Sequence, residues 1–252
     1  MSTPKVVSVI GFKDSGKTRV VEALVKELTQ RGYKVGTLKH TAEDVILDTP
    51  GKDTARHRAA GSEATAILHD KGGALFFDRY LTVREAYEKL GDLDYLVLEG
   101  FKTLETTTKI LVPRNDEDVE ELDNGLGIAI VRIDDRVMSE GLLPVVDIID
   151  PDKLSDIVEE KAFPLLPGLN CHSCGYHDCK SMGMALLRGE AELKQCVGFQ
   201  VDFILKVNGK DISTGYFVRN AMANVVIGFI KTLKGGEDAH SVELKFEVER
   251  DE

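Results

Sequence analysis

From Lys5 to about Phe163, short β-branched apolar runs alternate with longer stretches in which apolar residues recur every three or four positions. The first pattern belongs to strands buried on both faces, the second to helices laid across them. The runs are Val6–Ile10, Lys34–Leu38, Ala64–Leu68, Ala74–Phe77, Tyr95–Leu98, Lys109–Pro113, Gly127–Ile133 and Pro144–Asp147. The clearest helical stretches are Thr18–Arg31, Thr82–Leu90 and Pro151–Lys161. In the first of these, Val20, Val21, Leu24, Val25 and Leu28 share one face, and Gly32 is a stop signal. The alternation predicts an α/β fold: a three-layer domain around a mostly parallel sheet.

The grammar changes at Pro-Leu-Leu-Pro-Gly, residues 164–168, which punctuate the chain. A cysteine-bearing segment follows. Beyond it, "FILKVNGKDIST" alternates around Asn208-Gly209 as a hairpin does, a helical run extends from Phe217 to Leu233, and a last strand is predicted at Val242–Val248. Three parts are expected: 1–163, 164–198, and a small α+β tail over 199–252. The helix of the tail is apolar over a wide face but lacks a strongly basic opposite face, so it reads as core or dimer contact.

With 252 residues, 42% of them hydrophobic, the chain is long enough to bury a substantial core. No apolar run approaches the ~20 residues that span a bilayer and no signal-peptide pattern is visible, so a cytoplasmic protein is expected. A net charge of −11 argues against nucleic acid or an anionic membrane as partner. In a reducing compartment, four clustered cysteines point to metal before disulfides.

Residues 11–18, "GFKDSGKT", match G-x-x-x-x-G-K-[ST] at every fixed position. A phosphate loop needs a strand to aim it, glycines that let amides converge, and a helix whose positive N-terminal end faces the anion; "VVSVI" before and "TRVVEALVKELTQRG" after supply these. Lys17 would reach the terminal phosphates and Thr18 would bind Mg²⁺. A second acid is needed at the metal or the attacking water. Glu99, which ends the strand Tyr95–Leu98, and Asp48 in "LDTPGKD" are the candidates, with Lys17 and Glu99 the candidate catalytic pair. Lys39-His40 follows a strand, and Lys52, Asp53, Arg56, His57 and Arg58 lie in "GKDTARHRAAG"; in so acidic a chain this basic run suggests either an anionic ligand or a solvated helix face. The candidate nucleotide-binding residues are Gly11, Lys13, Asp14, Ser15, Gly16, Lys17, Thr18, Arg19, Lys39, His40, Lys52, Asp53 and Arg56.

The cysteines read C-x2-C-x4-C-x16-C through Cys171, Cys174, Cys179 and Cys196. Zinc sites usually pair two C-x2-C knuckles, whereas three ligands on one loop with a distant fourth are more typical of iron–sulphur binding. A 4Fe-4S cluster is the first reading, zinc the second and a metal-free thiol cluster the third. One helix running from Cys179 to Cys196 would hold them about 25 Å apart. The chain must therefore fold back, and Arg188-Gly189 is the natural break.

The strings "GFKDSGKT", "VGTLKH", "DTPGKDTARHRAAG" and "DYLVLEGFK" occur in an order that resembles the MobB family, P-loop proteins that assist synthesis of the guanine-dinucleotide form of the molybdenum or tungsten cofactor. The likeness covers roughly residues 5–150. It implies GTP binding, Mg²⁺, weak GTPase activity in a protein that is mainly an adaptor, a homodimer, and partnership with molybdopterin and the guanylyltransferase that performs the chemistry. The cysteine segment resembles the small four-cysteine 4Fe-4S domain of corrinoid and redox proteins. A guanine-reading Asn-Lys-x-Asp string is missing: Asn115-Asp-Glu-Asp118 keeps only the ends and reads as a charged loop. Lys13 does not stand directly after Gly11, where related dimerising ATPases place a signature lysine. Two functions follow: a GTP-binding adaptor, or an ATP-driven activator that pushes an electron from the cluster to a low-potential metal cofactor or corrinoid protein.

Overall fold

The computed structural model describes residues 3–43, 45–135, 137, 141–199, 205–212, 216–236 and 242–244. The chain divides into two compact units, Met1–Leu165 and Leu166–Glu252.

In the first unit, β1 (Lys5–Ile10) leads through the glycine-rich loop into α1 (Lys17–Gln30), and β2 (Val35–Lys39) follows. Next come α2 (Asp53–Ala59), β3 (Ala64–His69), β4 (Gly72–Phe77), α3 (Val83–Glu88), β5 (Tyr95–Glu99) and β6 (Thr108–Leu111). The unit ends with α4 (Asp116–Leu122), β7 (Gly127–Arg132), β8 (Val145–Asp147), α5 (Pro151–Lys161) and β9 (Phe163–Pro164). A seven-stranded sheet runs β2-β5-β1-β6-β7-β8, all parallel, with β9 added antiparallel to β1. Pairing of β1 with β6 begins only at Val7, and β9 takes that flank at Lys5 and Val6. Every residue of β5 and β6 is buried, as the near-continuous apolar runs require of strands covered on both faces.

α1 buries Val20, Val21, Leu24 and Leu28; Gly32, at φ 92°, closes it where an L side chain would be strained. Arg31 then binds Glu27 (3.0 Å), Asp156 (2.7 Å) and Glu159 (2.7 Å), and also Asp152, tying α1 to α5.

Four expectations need correction. Ala64–Leu68 and Ala74–Phe77 do not enter the parallel sheet. Only Asp70 and Lys71 separate β3 from β4, too short for a parallel crossover, and the two strands pair antiparallel in a sheet of their own. β9 and the short helix α4 were not anticipated, being too brief to show a period, whereas α2 is the solvated helix that the basic run also suggested. Asn115–Asp118 is no loop: the Asn115 side chain caps α4 by accepting from the Asp118 N–H at 3.0 Å. Finally, Val242–Leu244 carry no strand, and the rest of the predicted Val242–Val248 lies outside the described residues.

In the second unit, α6 (Cys179–Leu187) ends at Arg188, and Gly189 takes φ 72°, so the chain turns back where the cysteine spacing demanded. β10 (Lys206–Val207) and β11 (Lys210–Asp211) form the expected hairpin on Asn208 and Gly209, both with positive φ, and α7 (Tyr216–Ile230) is the helical run. No helix among the described residues is long and apolar enough to cross a membrane.

Leu24 is fully enclosed between α1 and the sheet. Leu24→Ala is expected to lower unfolding free energy by about 2–5 kcal/mol in urea titrations, through lost burial and the cavity left behind. An unchanged midpoint would show that α1 is not part of the cooperative core.

Candidate functional site

The turn from β1 into α1 is built for close backbone approach. A Cβ on Gly11 would lie 2.4 Å from both the Ser15 Oγ and the Val112 carbonyl. Asp14 (φ 61°) and Gly16 (φ 90°) take left-handed conformations that curl the loop, and Gly16 lies against the Ile133 side chain. No side chain caps α1 and no acid occupies its first turn, so its leading N–H groups face the loop unclaimed by protein side chains. Ser15 is buried and its hydroxyl has no hydrogen-bond partner among the described residues.

Lys17 donates to the Phe12 carbonyl. Burial pushes its amine below the ordinary lysine range; Glu99 opposes this, while Lys102 and Lys39 reinforce it. β5 delivers Glu99, almost fully buried, beside the loop. The Thr18 hydroxyl donates to Glu99 Oε1 at 2.8 Å, and Lys39 Nζ stands 2.9 Å from the same oxygen. The buried carboxylate thus meets a hydroxyl and an ammonium at the mouth of the phosphate loop. Oxygen donors of this kind suit Mg²⁺.

The structure brings together Gly11, Ser15, Gly16, Lys17, Thr18, Lys39 and Glu99. Lys13 points outward to Glu43 at 2.7 Å, a bond that raises its pKa, and the Arg19 side chain is exposed. The backbone N–H of His40 bonds the Glu99 carbonyl at 3.0 Å, and its ring lies 5.3 Å from that of Phe101. Lys52, Asp53 and Arg56 lie on the exposed surface of α2, with Arg56 3.8 Å from Asp53. Asp48 lines a separate cavity with Arg58 and Asp78 and shows no contact with Thr18 or Glu99.

Three residues of the site were not anticipated. Phe12, inside the loop, carries the Lys102 ammonium 3.4 Å from its ring centroid and the Arg114 guanidinium 4.4 Å from it. Their signal was present in the Glu-Gly-Phe-Lys string and in the basic residue just past β6, but only the sheet order shows that both reach one ring.

In the second unit, Cys171, Cys174, Cys179 and Cys196 line one small cavity, closed by Pro167 and Met182. Positive φ at Asn170, His172 and Gly175 coils the first knuckle, and Asn170 Oδ1 accepts from the Cys179 N–H at 2.9 Å. Asp178 caps α6 through the Ser181 N–H; that bond, the Ser181 hydroxyl and His177 hold its carboxyl at about 2. Burial pushes the Cys196 thiol up, as do Cys179, Cys174 and Cys171, while the Gly198 N–H pulls it down. Among the described residues no three His, Cys, Asp or Glu side chains close on a single ion. The donor set still fits a thiolate-ligated centre, because metal charge stabilises thiolates that burial disfavours.

The parallel sheet, the loop and the carboxylate at the adjacent strand end define a P-loop nucleotide-binding fold of the NTPase type. Residues 6–132 match the family described as molybdopterin guanine dinucleotide synthesis protein B, MobB. The chain is 30% identical over 253 residues to a Methanocaldococcus jannaschii protein named "Putative molybdopterin-guanine dinucleotide biosynthesis adapter protein", covering 98% of this chain and 99% of that one. It is 35% identical over 159 residues to a Bacillus subtilis protein named a probable adapter of the same kind, covering 58% of this chain and 87% of the relative. The crystal structure of Bacillus subtilis MobB superposes with a TM-score of 0.54 at 29% identity, over 63% of this chain and 98% of that one. This chain belongs to the MobB family. Residues 166–197 match a further family described as "Putative Fe-S cluster".

Gly11→Ala is expected to lower stability by about 1–3 kcal/mol, since the added carbon meets a backbone carbonyl that cannot give way. Thermal unfolding at the parent temperature would show that the loop relaxes freely.

Proposed function

We propose that this chain is a GTP-binding adaptor in the synthesis of the guanine-dinucleotide form of the molybdenum or tungsten cofactor, with weak Mg²⁺-dependent GTPase activity. One observation supports this most: within a MobB-family P-loop, Thr18 and Glu99 meet at 2.8 Å beside an uncapped helix start. In this reading the loop amides and Lys17 hold the β- and γ-phosphates, and Thr18 with Glu99 holds Mg²⁺. The ion, when bound, neutralises phosphate charge. Glu99 orients water at the terminal phosphate, and Lys39 fixes the carboxylate. The expected partners are molybdopterin, its guanylyltransferase and a second copy of the chain. The four cysteines hold a 4Fe-4S cluster in the second unit, a centre suited to electron transfer or to ordering a docking surface.

Lys17→Ala should weaken GTP binding by about 10- to 100-fold, the loss expected of a charge-assisted phosphate contact, without changing the melting temperature. Glu99→Gln should keep much of that affinity and lower Mg²⁺-dependent hydrolysis roughly tenfold or more. Isothermal titration and phosphate release measure the two. Parent-like GTP affinity in folded Lys17→Ala would overturn the nucleotide assignment, and a strong preference for ATP would overturn the choice of GTP.

Replacing Cys171, Cys174, Cys179 or Cys196 by serine should each lose or degrade the cluster, read as iron and sulphide per chain after anaerobic purification, with GTP affinity retained. One zinc and no iron in the parent chain would make the segment a zinc module instead.

A further inference from the structure

The chain leaving β5 folds back over the phosphate loop, and it is held there at several points. Gly100 (φ 92°) and Phe101 (φ 60°) are both left-handed, a conformation that a phenylalanine keeps only when its surroundings impose it. Here the Gly100 N–H donates to the Val9 carbonyl at 2.9 Å, the His40 ring lies against Phe101, and the Leu104 N–H returns to the Phe101 carbonyl at 3.0 Å. The next residue, Lys102, has its carbonyl bound at 2.6 Å by the amine of Lys109, a lysine wholly buried in β6. Burying an ammonium is costly, so its donation to this carbonyl is a strong constraint on where the Lys102 backbone sits.

The outcome is that the exposed Lys102 places its ammonium 3.4 Å from the Phe12 ring centroid, directly on the phosphate loop. Arg114 shares that ring, but its guanidinium is met by Asp118 at 2.8 and 2.9 Å. No carboxylate among the described residues lies within ion-pairing distance of Lys102; Asp118 acts on it only from farther away. Lys17, Lys39 and Lys102 thus crowd one loop where Glu99 and Asp14 are the acids, and both Lys39 and Lys102 push the Lys17 amine downward. Crowded like charges are unfavourable unless an anion answers them. P-loop catalysts need positive charge on the terminal phosphates beyond that of the loop lysine, and many take it from a separate finger.

We propose that Lys102 is a phosphate ligand of the bound nucleoside triphosphate, presented to the terminal phosphates from the ring of Phe12. It supplies from within the chain the second point charge beside Lys17. Phe12 positions it, and Lys109 fixes the backbone that carries it. The inference rests on the nucleotide-binding reading above.

The test uses the full chain and compares GTP with GDP by isothermal titration. Lys102→Met should weaken GTP binding about tenfold or more, weaken GDP binding less, and leave the melting temperature unchanged, as an exposed side chain allows. Lys102→Arg should recover most of the loss, because the charge is what matters. Phe12→Leu should give an intermediate loss that falls mainly on GTP. Parent-like GTP affinity in folded Lys102→Met, or equal losses for GTP and GDP, would overturn this inference alone. A parent chain that binds neither nucleotide would remove the nucleotide reading and this inference with it.

Discussion

The hydrogen bond from Thr18 to Glu99 joins the first turn of α1 to the end of the strand beside β1. Its existence depends on parallel order. β1 and β5 run the same way, so the loop after one and the acid ending the other emerge at a single sheet edge. Had β5 been antiparallel, Tyr95 would stand there instead. Most of the first unit serves this arrangement: buried β5 and β6 fix the strand ends, and the apolar face of α1 sets the angle at which its N-terminus meets the loop.

The buried carboxylate is also why the site is electrically crowded. Glu99 draws Lys39 and the Thr18 hydroxyl to one oxygen, and the loop brings Lys17 nearby. An acid out of water is stable only with such company. The arrangement is preorganised, with positive groups in place and their entropic cost met on folding.

Much of this was legible in the sequence because its signals are local. The phosphate loop has a fixed spacing, the face of α1 has a period, and Glu99 follows an uninterrupted apolar run. Sheet order is less local, and that is where expectation and structure part. The runs forming β3 and β4 look like any other strand until the two-residue turn between them is weighed. Asn115 to Asp118 read as a charged loop, when the spacing of three between their end residues is that of a helix cap. The strand before Glu99 favoured it over Asp48 as the second acid, but Asp48, with no strand to place it, stayed a candidate until the fold set it beside Arg58 and Asp78. The meeting of Lys102 and Arg114 on Phe12 joins three separate chain segments, and no window of sequence contains it. For the cysteines the reverse holds: distance along a helix alone demanded the turn found at Gly189.

The pairing of β9 with the start of β1 brings Phe163 beside Val6, so the last strand of the first unit returns to its first. Contacts this far apart in sequence are slow to form because a long loop must close first. During synthesis the first two residues of β1 would lack a partner on that flank until nearly all of the unit had emerged. The cysteine segment begins only a few residues later. Order of emergence thus separates two assembly problems in time: the nucleotide fold can close its sheet before the cysteine segment leaves the ribosome.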